Sequence, residues 1–489
     1  MLRNVKKRAI IMMEFSFRGQ RACSDERSRA YVNMRSNMVF RRKIYDKIKI
    51  WKDTSKGSKA LLIEGARRIG KSTIVEEFAE NEYKSYILID FSKVPETVKG
   101  YFSEYIDDLD TFFMLLSTRY GIKLYERESL IIFDEVQLFP KARESIKHLV
   151  ADGRYDYIET GSLLSIKENT KDIVLPSEEH HIRMYPMDFE EFCMAFDEDE
   201  LIGYIRKCFD DEVPLERALH NKAMLLFAQY MLVGGMPKCV SLFIDNHKDF
   251  GIVDVEKRDI LELYREDIGK IADRYKSKVK AIFDQIPGLL SQHEKRVTFR
   301  DIVPGSYAEQ YENTFLWLED SMIANDCFLC NDPAVGLSLN ESRSYIKCYM
   351  GDTGLLVSHA FDENELLEDE IYHQILSGNL NINEGMLYEN VIAQMLTASG
   401  HKLYFYTHYN EEKHRNDIEI DFLISNNSKL KYKLYPIEVK SGRNYSVKSL
   451  ASFRDKYSKR IGRCYIIHPR NLTERDGFLC IPPYMTICL

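Results

Sequence analysis

The octapeptide Gly65-Ala66-Arg67-Arg68-Ile69-Gly70-Lys71-Ser72 fits the pattern G-x-x-x-x-G-K-[ST]. Such a loop holds phosphate because several backbone N–H groups turn toward anionic oxygens, and its glycines permit the tight turn and the close approach. The helix expected to open near Lys71, with Thr73 in its first turn, adds a positive N-terminal end. Lys71 is placed to reach the β and γ phosphates, and the Ser72 hydroxyl to ligate Mg²⁺. Downstream, Ser129-Leu130-Ile131-Ile132-Phe133-Asp134-Glu135 is an apolar run ending in two carboxylates. Asp134 is expected to hold the metal, directly or through water, and Glu135 to polarise the attacking water as general base. ATP and Mg²⁺ are the cofactors this set requires.

Other features near this set admit two readings each. Thr160-Gly161-Ser162 puts hydroxyls, Ser162 among them, where a sensor of the γ-phosphate would sit, but a plain strand-to-loop turn reads the same. Arg67 and Arg68 either stabilise charge in the transition state or point to water. Arg183 is a candidate for an arginine supplied in trans, although nothing singles it out.

A second set lies near the C-terminus. Glu438 and Lys440 alternate along one strand and therefore share a face, while Val439 turns to the core. Asp421 lies on the preceding strand and Glu389 on an upstream helix. Two carboxylates held together ligate Mg²⁺, and a neighbouring lysine orients water or stabilises developing phosphorane charge.

Both sets depend on the elements that carry them. Short buried strands alternate with helices as in a parallel α/β sheet. The strands are expected at Ala60–Glu64, Tyr86–Phe91, Leu130–Phe133, Tyr157–Thr160 and Ile182–Tyr185, with helices at Ser72–Ala79 and Tyr101–Tyr120. A helical period through Phe40, Ile44, Ile48 and Trp51 precedes them, so residues 38–200 read as one P-loop domain. Residues 201–375 turn helical, passing through the turn Gly234-Gly235-Met236-Pro237. There Phe299–Ile323, with Cys327–Cys330 and Tyr345–Tyr349 as a wing-like strand pair, suggests a winged-helix-like module. Residues 376–489 read as a small α/β unit, with a helix at Tyr388–Leu396 and strands at Ile418–Ile424 and Tyr435–Lys440. A helix at Tyr445–Tyr457 and a strand at Cys464–His468 complete it. Residues 1–37 are basic and aperiodic, as expected of a flexible tail, with Met38 as an alternative start.

Bulk properties narrow the partners. A chain of 489 residues exceeds one ordinary core. Its net charge of -8 means that nucleic-acid binding requires a local basic patch. No apolar run is long enough for a membrane span, and Glu14 interrupts Ala9–Met13 with no cleavage site after it, so neither a membrane nor a secretory signal is expected. Ten scattered cysteines fit a reduced, cytoplasmic setting. Cys327 and Cys330 lack a second pair at zinc spacing, and His180-His181 lacks a metalloprotease pattern, so a core role and a surface role are expected.

The phosphate loop resembles that of a family of prokaryotic AAA-type ATPases that carry a C-terminal domain. The resemblance extends to Phe133-Asp134-Glu135-Val136-Gln137, Thr160-Gly161-Ser162, Pro186-Met187-Asp188-Phe189-Glu190-Glu191-Phe192 and Gly234-Gly235-Met236-Pro237. It continues through Tyr264-Arg265-Glu266-Asp267-Ile268 and Asp352-Thr353-Gly354-Leu355. It covers nearly the whole chain after Met38, implies ATP binding and hydrolysis, and admits a homo-oligomer. The C-terminal set resembles the PD-(D/E)XK nuclease superfamily, with Ile420 where that pattern has proline. This second resemblance implies Asp421 and Glu438 as metal ligands, Lys440 as catalytic lysine and Glu389 as a helix-borne acid at the same metal. The expected function is an AAA-type ATPase coupled to a nuclease-like domain acting on DNA or another nucleic acid. The alternative is a nucleotide-dependent switch or scaffold whose C-terminal domain is an inactive binding module. Convergence of Asp421, Glu438 and Lys440 on one open pocket favours the enzyme.

Overall fold

The apolar run Ala60 to Ile63 has no polar face to show to water, so it folds as a strand covered on both sides. It is an interior strand of the expected parallel sheet in a computed structural model of the chain. The structure describes residues 39–489 except 163–175, 272, 293–308, 335, 363–371, 373–374, 376–383, 413, 427–432 and 443–444. The expected tail at 1–37, the alternative start at Met38 and the stretch 299–308 of the winged-helix reading lie outside these residues.

Helix α1 (Ile44–Ser55) leads into β1 (Ala60–Glu64), the phosphate loop and α2 (Lys71–Glu82). Then come β2 (Ser85–Asp90), α3 (Glu96–Glu104), α4 (Leu109–Tyr120), β3 (Ser129–Asp134), α5 (Pro140–Asp152), β4 (Asp156–Gly161) and β5 (Glu179–Arg183). The strands lie in the order β2-β3-β4-β1-β5, all parallel. The single helix expected at Tyr101–Tyr120 is instead two, because the Asp108 carboxylate accepts from Thr111 N–H at 3.3 Å and starts α4 afresh. Side chains alternate between the two cores of this sheet. Leu61, Ile63, Ile132 and Ile158 meet α2 through Ile74, Val75 and Phe78. Leu62, Ile131, Phe133 and Tyr157 meet α3 to α5 through Phe102, Phe112, Ile146 and Leu149.

Helices follow: α6 (Phe189–Ala195), α7 (Asp199–Asp210), α8 (Arg217–Val233), α9 (Pro237–Asp245), α10 (Phe250–Gly269), α11 (Asp273–Ser291) and α12 (Glu309–Asp320). After them come β6 (Ala324–Cys330), β7 (Glu341–Met350), α13 (Thr353–Ala360), α14 (Glu384–Ala398), β8 (Leu403–Asn410), β9 (Arg415–Asn426) and β10 (Lys433–Val439). The chain ends with α15 (Lys448–Lys456), β11 (Tyr465–Ile467), β12 (Thr473–Arg475) and β13 (Phe478–Ile481). These strands build one mixed sheet in the order β12-β13-β11-β10-β9-β8-β6-β7. The winged-helix reading is corrected here. β6 and β7 do pair antiparallel, but β6 also pairs parallel with β8, so the expected wing is the edge of the C-terminal sheet. That sheet crosses the expected division at 375/376. Among the described residues no single helix is long and apolar enough to cross a membrane.

Three glycines, Gly234 and Gly235 in the turn after α8 and Gly354 at the start of α13, permit the close approaches at this junction. A Cβ at Gly235 would stand 2.0 Å from the Met187 carbonyl, at Gly234 2.1 Å from Asp352 Oδ1, and at Gly354 2.4 Å from the Val233 carbonyl. Gly235→Ala should therefore destabilise the protein by about 1 to 3 kcal/mol, because backbone has to move to admit the methyl group. Gly203→Ala is the control, since nothing lies within 4 Å of that Cβ in α7. It should be neutral or stabilising by up to about 1 kcal/mol. Urea unfolding of the two variants measures the difference; equal midpoints would contradict the packing described.

Candidate functional site

The phosphate loop runs from the C-terminal end of β1 to the start of α2, with Gly70 at φ 90. Gly65 has no room for a side chain, because a Cβ there would lie 2.5 Å from the Met184 carbonyl. Lys71 is buried, and its ammonium donates to the Gly65 and Ala66 carbonyls at 3.0 and 2.9 Å. Burial lowers its pKa to about 8, only partly offset by Glu135 and Asp134. A phosphate anion entering the loop would supply the missing counter-charge. Ala66 and Ile69 are buried, whereas Arg68 and Thr73 are exposed and Arg68 adopts φ 66.

β4 lies between β1 and β3, which sets Thr160 beside the loop in register with Ile63. Asp134 Oδ1 accepts from Ser72 Oγ at 2.8 Å and also from Thr160 Oγ1. Thr160 Oγ1 accepts in turn from Glu135 N–H at 3.4 Å. The hydroxyl of Thr160-Gly161-Ser162 that touches Asp134 is thus that of Thr160, and Ser162 sits half-buried just beyond β4. The Ser72 hydroxyl and Asp134 carboxylate present hard oxygen donors at one point, which suits Mg²⁺. Glu135 adopts φ 53, and Gln137 donates to its carboxylate. Left-handed backbone at a non-glycine residue persists only where its surroundings hold it.

Arg67 Nε pairs with Asp267 Oδ2 of α10 at 3.0 Å, and Tyr264 Oη donates to the Arg67 carbonyl at 3.4 Å. Arg183 is exposed at the end of β5. His180 and His181 are exposed as expected, and hydrogen bonds that His181 donates to Glu179 and Glu64 raise its pKa to about 9. Arg42 does not stand out in the sequence. Its buried guanidinium donates to the Ile69 carbonyl at 2.9 Å and the Tyr185 carbonyl at 2.7 Å, and lies 3.2 Å from Glu191. Glu191 belongs to the capping box that Asp188 forms at α6. The stretch Pro186 to Phe192 therefore braces the loop through Arg42.

At the C-terminus, Lys347, Glu389, Glu419, Asp421, Glu438 and Lys440 line one open cleft of about 520 Å³. Val439 N–H donates to Asp421 Oδ2 at 2.9 Å, Tyr349 Oη donates to Glu389 Oε2 at 3.3 Å, and Lys440 Nζ lies 3.1 Å from Glu438 Oε2. Burial raises the Glu438 pKa to about 7 against the pull of Lys440. Its two oxygens are fully buried without a well-directed hydrogen bond, which fits a metal ligand. Sequence reasoning missed Lys347, which lies on β7 far upstream. Its buried Nζ is 3.8 Å from Asp421 and 3.8 Å from Glu419. Burial works against that charge, but Asp421, Glu389 and Glu419 outweigh it and raise the pKa. Among the described residues no three carboxylate, histidine or cysteine side chains draw together as a metal cluster, so Glu389 does not complete a set with Asp421 and Glu438. Cys327 and Cys330 are buried free thiols in β6.

Sheet order, loop and carboxylates define a P-loop nucleotide-binding domain. Residues 57–193 match a family described as an AAA domain, so this part of the chain is an AAA-type ATPase domain. That class implies nucleotide binding, usually with Mg²⁺. Residues 224–365 and 384–484 match two further families, each described as a domain of unknown function (DUF8612 and DUF4143). No curated protein matches the chain. Among solved structures, a Walker-type ATPase of Pyrococcus abyssi is similar at 15% identity and a TM-score of 0.39, covering 66% of this chain and 96% of its own. A signal-transduction ATPase with numerous domains and a tetratricopeptide repeat sensor, from Pyrococcus horikoshii, is similar at 10% identity and a TM-score of 0.26, covering 74% and 48%. These scores are too low to add to the assignment, which rests on the site and the AAA match.

The buried Glu438 makes a pH prediction. Between pH 4.5 and about 7 the unfolded chain has lost this proton while the folded protein keeps it. Stability therefore falls as pH rises through that window; the cost is absent below it and complete above, at about 3 kcal/mol. Glu438→Gln should raise the melting temperature at pH 8 and lose that advantage at pH 4.5. A variant no more stable than wild type at pH 8 would contradict the burial.

Proposed function

We propose that the chain hydrolyses Mg-ATP and that its nucleotide state governs a nuclease-like C-terminal domain acting on DNA. In this reading Lys71 and the loop amides from Gly65 to Thr73 bind the phosphates, Ser72 and Asp134 hold Mg²⁺, and Glu135 orients and deprotonates water. Bound Mg²⁺ supplies charge neutralisation at the transferred phosphoryl group. Thr160, bonded to Asp134 and to the Glu135 backbone, is positioned to register the state of that phosphoryl. Arg183 is available to a neighbouring copy in a homo-oligomer. A cytoplasmic setting is supported by the nine described cysteines, all of them free thiols.

The observation that carries the nuclease-like half is the opening of Asp421, Glu438 and Lys440 onto one cleft. Asp421 and Glu438 would hold a divalent cation, and Lys440 would steady the attacking water. Coupling is supported by α14, which carries Glu389 to the cleft. From the same helix, Asn390 Oδ1 accepts from Met350 N–H at 2.7 Å and Gln394 Nε2 donates to Asp352 Oδ2 at 3.2 Å. One observation favours the alternative, a nucleotide-driven switch whose C-terminal domain binds without cutting. The Lys347 ammonium already stands beside Asp421 as a built-in cation.

Lys71→Ala should lower ATP turnover by roughly 100-fold or more, the scale expected when one charge-stabilising group is lost. Glu135→Gln should retain ATP without turnover. DNA incubated with Mg²⁺ or Mn²⁺ tests the second site: cutting that disappears in Asp421→Ala supports the nuclease, and the absence of cutting under either metal supports the switch. Wild-type turnover in Lys71→Ala would refute the ATPase assignment.

A further inference from the structure

A second cavity, also of about 520 Å³, adjoins the acidic cleft, and Tyr445 lines both. Its walls come from distant parts of the chain: Arg217, His220 and Asn221 from the first turns of α8, and His468, Arg470 and Asn471 from the segment after β11. Asn471 joins the two walls, since its Nδ2 donates to the Leu215 carbonyl at 2.7 Å and its Oδ1 accepts from Leu215 N–H at 3.1 Å. No carboxylate lies among the described lining residues, whereas Glu389, Glu419, Asp421 and Glu438 all line the neighbouring cleft.

The charge of this pocket comes from two exposed guanidiniums, Arg217 and Arg470. Burial, with repulsion from Arg470 and His220, lowers the His468 pKa to about 4, and burial also lowers that of His220, so both rings are neutral at pH 7. The end of α8 is not the source of attraction, because Glu216 already accepts from the amides of Ala218 and Leu219 at 2.8 and 3.3 Å. Guanidinium forks suit phosphate oxygens, which they bind in pairs.

A chain of net charge -8 attracts a polyanion only through a local basic patch. The acidic cleft repels one until a cation is bound. We propose that the Arg217–Arg470 pocket binds a backbone phosphate of the DNA strand whose neighbouring segment enters the acidic cleft across Tyr445. This inference rests on the nucleic-acid reading above and names the missing attraction in it.

Fluorescence anisotropy of a labelled single-stranded DNA oligonucleotide on the full chain, titrated with salt, tests it. Wild type is compared with Arg217→Ala/Arg470→Ala and with Arg217→Lys/Arg470→Lys, using ATP turnover without DNA as the folding control. The alanine pair should bind at least tenfold more weakly, with a salt slope smaller by roughly 0.7, the value for one phosphate charge that is no longer neutralised. The lysine pair, which keeps the charge but not the paired contacts, should restore the salt slope and only part of the affinity. If wild type binds and the alanine pair matches it in affinity and slope, the pocket is refuted while the nucleic-acid reading stands. If wild type binds no oligonucleotide even at low salt, the nucleic-acid reading falls, and the pocket with it. Inorganic phosphate that occupies the pocket without displacing DNA would make it a site for free anions and also overturn the proposal.

Discussion

The carboxylate of Asp352 holds three separate stretches of chain at one point. It is 1% exposed and accepts from Gly235 N–H at 2.6 Å, Leu355 N–H at 3.0 Å and Gln394 Nε2 at 3.2 Å. Burial raises its pKa, and the Gly235 and Leu355 amides pull it back. A carboxylate this deep is tolerated only with its partners in place, since losing one exposes the fold to the full desolvation cost. The donors belong to the turn after α8, the start of α13 and the middle of α14. Asp352 is thus where the ATPase half and the C-terminal sheet are pinned together.

Bonded contacts lead outward from this point in both directions. The Gly235 carbonyl accepts from Met187 N–H at 2.7 Å, and the next residue, Asp188, caps α6. Glu191 of that helix pairs with Arg42, which holds the Ile69 carbonyl inside the phosphate loop. Toward the C-terminus, Gln394 lies on the helix that carries Glu389 into the acidic cleft. The glycines of the two turns permit these approaches, because any side chain would strike backbone or Asp352 itself. Bonded contacts thus run unbroken from Ile69 to the helix that carries Glu389, and the proposed coupling would use them.

Much of this was legible from the residues, and the remainder was hidden for definite reasons. The phosphate loop and the β3 carboxylates announce themselves because their chemistry is local: a turn, a helix start and a strand end. Glu438 and Lys440 were legible as neighbours because strand alternation fixes the face they share, and Asp421 through the resemblance that the set carries. Arg42 and Lys347 were not, since each acts through partners set by strand order or helix packing, and of the hydroxyls in Thr160-Gly161-Ser162 only strand order decides that Thr160 is the one bonded to Asp134. The hairpin of β6 and β7 misled in the same way. A two-strand pair looks alike whether it is free or is the edge of a larger sheet, and only its pairing with β8 decides. The break at Asp108 was the exception, because Asp108 with Thr111 is a cap signal readable from sequence.

The two candidate sites share a feature that most of the fold avoids. Lys71 is a buried base with its pKa lowered to about 8, and Glu438 a buried acid with its pKa raised to about 7. Ordinary buried charges here are matched, as Arg143 is by Glu179 through bonds of 2.9 and 2.7 Å. Glu159 and Asp326 are also buried acids whose oxygens lack a well-directed hydrogen bond and whose pKa values burial drives well up, but neither lines the acidic cleft. Lys71 and Glu438 differ because each faces a site able to admit a charged guest, an anion for the lysine and a cation for the carboxylate. Under the proposed function, binding of that guest would offset the stability each position costs, which accounts for both by binding and not by folding.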